Sequence, residues 1–191
     1  GRENAYPLLL SVGNLVERKG HDLVLRALAE LRQRFPRIAY AIVGNGRDRG
    51  KLEHLAQTLG VADCVNFLGR GDDADLATCY SACDLFVMPS RAILENDDVE
   101  GFGMVFLEAA ACGKAVIGGR SGGIEDAIDE GRSGFLVDPH DPTELIGAIT
   151  ALAQSPELAA RFGQAGQHRV AEDFTWKKYG RQIDEVLDEL S

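Results

Sequence analysis

Short apolar runs of strand length alternate with amphipathic helical stripes, and this alternation limits the chain to very few architectures. Residues 8–12 (Leu-Leu-Leu-Ser-Val), 38–43, 65–68, 85–88, 115–118 and 135–137 read as strands, most of them ending at a glycine. Between them, Leu23, Val24, Ala27, Leu28 and Leu31 form a stripe that continues to Arg34 and stops at Pro36. Leu52, Leu55, Ala56 and Leu59 form another, with Gly60 as its cap. Further helices are expected over residues 73–82, from near Gly103 to Cys112, and over 124–128. After Val137 the pattern is helical throughout: Leu145, Ile146, Ile149 and Leu152 share one stripe, and a helix runs from Pro156 to about Glu172. A final helix follows Phe174-Thr175-Trp176, with Ile183, Val186, Leu187 and Leu190 on one face. Strands alternating with helices predict an α/β fold, a Rossmann-like doubly wound parallel sheet with helices on both faces.

A chain of 191 residues suits one substantial domain, here residues 1–174, followed by a C-terminal helix over 175–191. Its formal net charge of −10 argues against nucleic acid as a partner and makes membrane contact by this chain an unfavoured reading. No apolar run approaches the ~18 residues of a membrane span. Cys64, Cys79, Cys83 and Cys112 lack metal-ligand spacing and read as small packing residues, which fits a reducing cytoplasm.

In a doubly wound sheet, ligands bind beyond the carboxyl ends of the strands. Those ends carry Gly13-Asn14, Gly44-Asn45-Gly46, Gly69-Arg70, Pro89-Ser90 and Gly118-Gly119, so glycine and polar residues gather along one edge. At the first strand–helix junction stands Arg18-Lys19-Gly20, where a lysine can meet a diphosphate as a point charge. The stretch from Glu100 through Gly101-Phe102-Gly103-Met104-Val105 to Glu108 places one carboxylate before a helix and another inside it. Bare N–H groups at that helix start favour an anion, and Glu108 in an otherwise apolar helix calls for a partner, which a ribose diol would supply. Together these residues read as a site for a sugar joined to a diphosphate.

Other chemistries have less support. Asp73-Ala74-Asp75 matches a metal-holding tripeptide but opens a helix, where capping explains it better. Asn96-Asp97-Asp98 reads as a solvated loop, and no metal site is expected. No serine or cysteine has a recognisable histidine partner, and both the phosphate-binding G-x-x-x-x-G-K-[ST] loop and a G-x-G-x-x-G after the first strand are missing.

These motifs, in this order, resemble the C-terminal half of the retaining glycosyltransferases of the GT4 family, enzymes with the two-domain GT-B architecture. The resemblance runs over nearly the whole chain: Ser11-Val12-Gly13, Arg18-Lys19-Gly20, Ile42-Val43-Gly44-Asn45-Gly46, Phe67-Leu68-Gly69, the Glu100 to Glu108 motif, Ala111-Cys112-Gly113 and Gly122-Gly123. Residues 90–100 are most similar to the mannosyltransferases of the phosphatidylinositol mannoside pathway. The resemblance implies catalytic roles for Glu100 on donor-sugar hydroxyls and for Lys19, with Arg18, on the departing diphosphate. It implies donor contacts from Gly13, Asn14, the backbone of Phe102, Gly103, Met104 and Val105, and Glu108 on the ribose. The base is expected near Val43, Gly44, Gly69 and Arg70.

It further implies a GDP- or UDP-linked sugar as substrate, no cofactor and no required metal. The acceptor, whether glycan, lipid or small molecule, is expected on an N-terminal domain outside this chain, towards which the last helix crosses. A cytoplasmic protein is expected, with peripheral contact at the inner face of a membrane left open for the full-length enzyme. One position departs from the pattern: relatives often carry arginine where this chain has Asn14, so a phosphate ligand is lost or passes to Arg18. Two alternatives stand beside a transferase domain, a non-catalytic nucleotide-sugar binding module and a related nucleotide-sugar epimerase.

Overall fold

A computed structural model describes residues 5–93 and 99–189. The expected 96–98 loop and Leu190 fall outside these residues, as does the side chain of Val186. The elements run β1 (Leu8–Val12), α1 (His21–Arg34), β2 (Ala39–Val43), α2 (Arg49–Thr58), β3 (Val65–Gly69), α3 (Asp73–Ala82) and β4 (Leu85–Met88). They continue with α4 (Met104–Ala111), β5 (Ala115–Gly119), α5 (Ile124–Ala127), β6 (Gly134–Val137), α6 (Pro142–Gln154), α7 (Pro156–Asp173) and α8 (Trp176–Glu189). The strands form one parallel sheet in the order β3-β2-β1-β4-β5-β6. Chain direction across the sheet therefore reverses between β1 and β4, which opens a crevice at their carboxyl ends.

The side-chain period of two divides each strand between two cores. Leu9, Leu85, Val87, Ala115 and Ile117 face one side with Leu28, Leu31, Leu145 and Ile149, while Leu10, Phe86, Met88 and Val116 face the other with Tyr80, Phe106 and Ile124. Phe86 meets Phe106 edge-on with ring centroids 5.4 Å apart, fixing α4 against β4. Helix α7 approaches the end of α4 closely, since a Cβ on Gly163 would sit 2.0 Å from the Gly113 carbonyl oxygen.

Element boundaries follow local chemistry. The cap of α3 is Asp72, one residue before the expected tripeptide; its carboxylate accepts from the Asp75 N–H at 2.9 Å, and Asp75 answers from the Asp72 N–H. Helix α2 ends at Thr58, and Gly60 follows in the left-handed region at φ +68°. Helix α5 stops at Ala127 because Ile128 takes up extended backbone. Helix α8 leaves Trp176 87% exposed, and Tyr179, Ile183 and Leu187 are also exposed.

A buried polar chain fastens the strands around the crevice. The Ser11 hydroxyl reaches the Val87 carbonyl and the Tyr40 hydroxyl, Tyr40 lies 3.1 Å from His21 Nδ1, and His21 Nε2 lies 3.3 Å from the Asn14 carbonyl. Both ends of this chain are carbonyls, so its four contacts need four protons. Ser11, Tyr40 and a neutral His21 bring only three, and the contact to Asn14, the longest, is the weakest claimant. Burial holds the His21 imidazole neutral, lowering its pKa to about 4; nearby Lys19 adds to this, while the Asn14 carbonyl and Asp22 oppose it.

Two tests follow from this packing. Gly163→Ala forces α7 off the Gly113 carbonyl, with an expected loss of about 1–3 kcal/mol in urea unfolding. Because the folded His21 pKa lies below the usual 6.5, the unfolded chain binds the extra proton. The stability contributed by neutral His21 is thus full above pH 6.5 and is lost as pH falls towards about 4, on the order of 3 kcal/mol in all. Comparing urea midpoints of the native chain and His21→Gln across that range isolates this slope.

Candidate active site at the carboxyl edge of the sheet

Beyond β1 the chain passes through Gly13 and Asn14 into a 3-10 turn, Glu17–Lys19, and reaches α1 through Gly20. Gly20 sits at φ +70°, and a Cβ there would lie 2.1 Å from the Pro89 carbonyl oxygen. Only glycine allows the loop after β1 to lie this close to the exit of β4. Arg91 locks the same junction: its N–H donates to the Arg18 carbonyl at 2.8 Å, and its guanidinium pairs with Asp22 Oδ1 at 2.7 Å. Nothing in the sequence around Pro89-Ser90 marks Arg91 for this task, which depends on β4 lying beside β1.

Through this junction Arg18 and Lys19 meet Glu100. The Arg18 guanidinium and Lys19 Nζ each lie 2.6 Å from Glu100 Oε2. Lys19 is only 8% exposed, and its aliphatic stem runs over Gly13, whose hypothetical Cβ would be 3.4 Å from Lys19 Cε. Two cations share one carboxylate oxygen in a partly dry setting where Coulomb forces exceed those in bulk water. Glu100 Oε1 has no protein partner among the described residues.

Helix α4 starts at Met104, four residues after Glu100. Gly103 caps the helix at φ +81°, and a Cβ at that position would meet the Phe106 ring at 2.7 Å. The N–H groups of residues 102–105 donate to no protein acceptor among the described residues. They form the bare positive end of a helix that begins four residues after Glu100, an arrangement suited to an anion.

Glu108 follows one turn further along α4, with Oε2 accepting from the Tyr80 hydroxyl at 2.6 Å. The sequence assigned the partner of Glu108 to a ligand, but the fold supplies one from α3. Tyr80, 3% exposed and packed against Phe86, is the sole aromatic of α3, the one sequence signal that could have revealed it. Burial and then the Glu108 carboxylate raise the Tyr80 pKa far above its usual value, so the phenol remains a donor. Glu108 is exposed, and its second oxygen has no protein partner among the described residues.

The remaining candidates line the edge towards β3. Gly13 N–H donates to the Val43 carbonyl at 2.9 Å and Gly44 N–H to the Gly69 carbonyl at 2.7 Å, tying three strand ends into a row. Gly44, at φ +143°, brings its Cα against the Gly13 carbonyl. Asn14 and Arg70 are exposed on this edge; neither side chain joins the Glu100 cluster. Asp73 and Asp75 belong to the start of α3, and no grouping of three potential metal ligands occurs among the described residues.

Comparison with known proteins places the chain in a family. The family model of the glycosyl transferases group 1 matches residues 1–169. The chain is 39% identical over 181 residues to a GDP-mannose-dependent alpha-(1-6)-phosphatidylinositol monomannoside mannosyltransferase of Mycolicibacterium smegmatis, covering 95% of this chain and 47% of that protein. It is 35% identical over 186 residues to a D-inositol 3-phosphate glycosyltransferase of Corynebacterium jeikeium, covering 94% and 42%. The chain thus spans about half the length of the curated relatives it matches.

Among solved structures it superposes on sucrose-phosphate synthase of Thermosynechococcus elongatus with a TM-score of 0.85 and 30% identity, over 100% of this chain and 46% of that one. It superposes equally well on Anabaena Alr3699/HepE in complex with UDP-glucose, with a TM-score of 0.85 and 27% identity over 99% and 50%. Those relatives share the parallel sheet, and the family match takes in the cation-bearing loop after β1 and the whole Glu100 to Glu108 stretch. On that evidence the chain belongs to the group 1 glycosyl transferases and forms a GT-B-type domain.

Proposed function

We propose that this chain is the donor-binding half of a retaining glycosyltransferase, holding a GDP- or UDP-linked sugar without a metal ion. The observation that carries this reading is the Arg18–Glu100–Lys19 cluster together with the bare N–H groups of residues 102–105, which follow Glu100 directly in the chain. The diphosphate lies on those N–H groups, with Lys19 and Arg18 turned towards it. Glu100, relieved of part of its ion pairing, accepts from the sugar hydroxyls, starting from its unengaged Oε1. Glu108, oriented by Tyr80, takes the ribose hydroxyls, and the base rests at Val43, Gly44, Gly69 and Arg70.

As the bond between the sugar and the diphosphate breaks, negative charge grows on the leaving oxygens. Fixed cations and a helix N-terminus stabilise that charge most when they need not reorganise. These groups perform the task that a divalent cation performs elsewhere. The acceptor site lies mainly on a further domain, in keeping with relatives twice as long and with the exposed Trp176, Tyr179, Ile183 and Leu187 of α8, which would cross to that domain. Four cysteines outside any disulfide among the described residues suit a reducing, cytoplasmic setting. One observation favours a binding module instead: Asn14, exposed at the diphosphate edge, brings no charge.

Calorimetric titration with UDP, GDP and ADP, with and without Mg²⁺, tests the proposal. Selective binding that ignores Mg²⁺ is expected, weakened about 10- to 100-fold by Lys19→Ala through loss of a charge-assisted contact. Tyr80→Phe, which frees Glu108 to swing, should weaken binding about threefold to tenfold with the fold intact. Binding that requires Mg²⁺ would overturn the metal-free reading. Sugar transfer by this chain alone would overturn the assignment of the acceptor site to another domain.

A further inference from the structure

The Gly-Phe-Gly turn before α4 is held by contacts from distant parts of the chain. Phe102 stands between two glycines, so its ring is the one side chain of residues 101–103 that can anchor them. With Val170 and Phe174 it packs, half-buried, against the core that contains Phe106, Ile124 and Ala127. Its ring meets that of Phe174 with centroids 5.7 Å apart and planes inclined at 51°.

Phe174 belongs to the joint between the last two helices. It closes α7, its N–H donating to the Val170 carbonyl at 3.1 Å, and Trp176 then opens α8. Lys178, in the first turn of α8, pairs with Asp173 at 2.6 Å, so the joint is tied on both sides of Phe174. Arg169, earlier on α7, holds its Cζ 4.9 Å from the centre of the Phe174 ring, within cation–π range. The same guanidinium donates to the carbonyls of Asp126 and Ala127, each at 2.7 Å, and so fastens the end of α5. The start of α5 returns to the turn. Gly123 N–H donates to the Glu100 carbonyl at 3.2 Å, and a Cβ on Gly123 would run into the Gly101 carbonyl. From Phe102 the contacts thus pass through Phe174, Arg169 and α5 and come back to Glu100.

Two features separate this circuit from ordinary core packing. Phe102, Arg169 and Phe174 are all half-buried, in contrast to the fully buried Phe86 and Phe106, yet they bear on one short stretch of backbone. That stretch contains a left-handed residue, Gly103 at φ +81°, and its N–H groups have no protein acceptor among the described residues. An N–H group without an acceptor is not aimed by a hydrogen bond of its own. Its direction is set by whatever fixes the side chains beside it.

We propose that Phe174 is a positioning residue for the anion site, setting through Phe102 the direction of the N–H groups of residues 102–105. The joint between α7 and α8 is thereby part of the scaffold of that site. That these N–H groups serve a donor diphosphate rests on the donor reading of the Glu100 cluster.

The test compares the native chain with Phe174→Ala, Phe174→Tyr and Phe162→Leu. Each is followed by residual dipolar couplings of the backbone N–H bonds, by titration with UDP, GDP and ADP, and by urea unfolding. Phe162→Leu is the control for structure alone: it breaks a pair with Phe135, 5.2 Å between centroids, on the same helix but in the opposite core. Phe174→Ala is expected to turn the N–H bonds of residues 102–105 and to weaken nucleotide binding about threefold to tenfold. Phe174→Tyr, which keeps the ring, should preserve both, and Phe162→Leu should lower the urea midpoint and leave both unchanged. Native couplings or native affinity in Phe174→Ala, or an equal loss of affinity in Phe162→Leu, overturns the proposal. If the folded native chain binds no nucleotide, the donor reading fails, and the couplings alone decide whether Phe174 positions residues 102–105.

Discussion

The pairing of β1 with β4 governs this structure. Strands separated by two intervening strand–helix units lie side by side, with Leu9 opposite Leu85 and Leu10 opposite Phe86. Their following loops therefore emerge together, and Arg18 and Lys19 meet a glutamate 82 and 81 residues further along the chain. Several contacts protect that junction: the Gly20–Pro89 approach, the Arg91 bonds to Asp22 and the Arg18 carbonyl, and the Ser11–Tyr40–His21 chain. All act on backbone or on buried side chains, so the loop after β1 is positioned before any ligand arrives.

The charge cluster at the junction is costly by itself. Removing three ionic groups from water carries a penalty of several kcal/mol per ion, and one carboxylate shared by two cations recovers only part of it. Such an arrangement suits an anionic ligand that takes over part of the pairing made by Glu100. Glu100 then has two tasks in the proposed cycle, as counter-ion while the site is empty and as a sugar ligand once a diphosphate replaces it beside Lys19 and Arg18. The Tyr80–Glu108 pair follows another logic, in which a buried phenol aims an exposed carboxylate.

Much of the architecture was legible in the sequence because strand and helix periods differ and because glycines mark the strand ends. All six strands lie where the apolar runs placed them, with β2 starting one residue later than expected, β3 and β5 ending one later, and β6 starting one earlier. The candidate residues were legible as types: a cationic pair at a strand–helix junction, two spaced carboxylates and a helix start after Gly-Phe-Gly. Tyr80, His21 and Arg91 were not. Tyr80 looks like a core aromatic, His21 like a first-turn residue and Arg91 like a loop cation; each gains its role from a partner distant in sequence, at 28, 19 and 69 positions respectively. The α3 cap shifted from Asp73 to Asp72 for a smaller reason, since adjacent aspartates compete for one cap and only the backbone dihedrals choose between them.

By itself the sequence determined the doubly wound class and singled out the strand ends and their residues as the candidate site for a diphosphate sugar. Those are consequences of local periodicity and of side-chain chemistry, which a chain carries wherever it folds. The tertiary structure alone decided that Arg18 and Lys19 share Glu100 and that Glu108 answers to Tyr80. These depend on the order of strands in the sheet, a non-local property fixed by packing two hydrophobic faces at once.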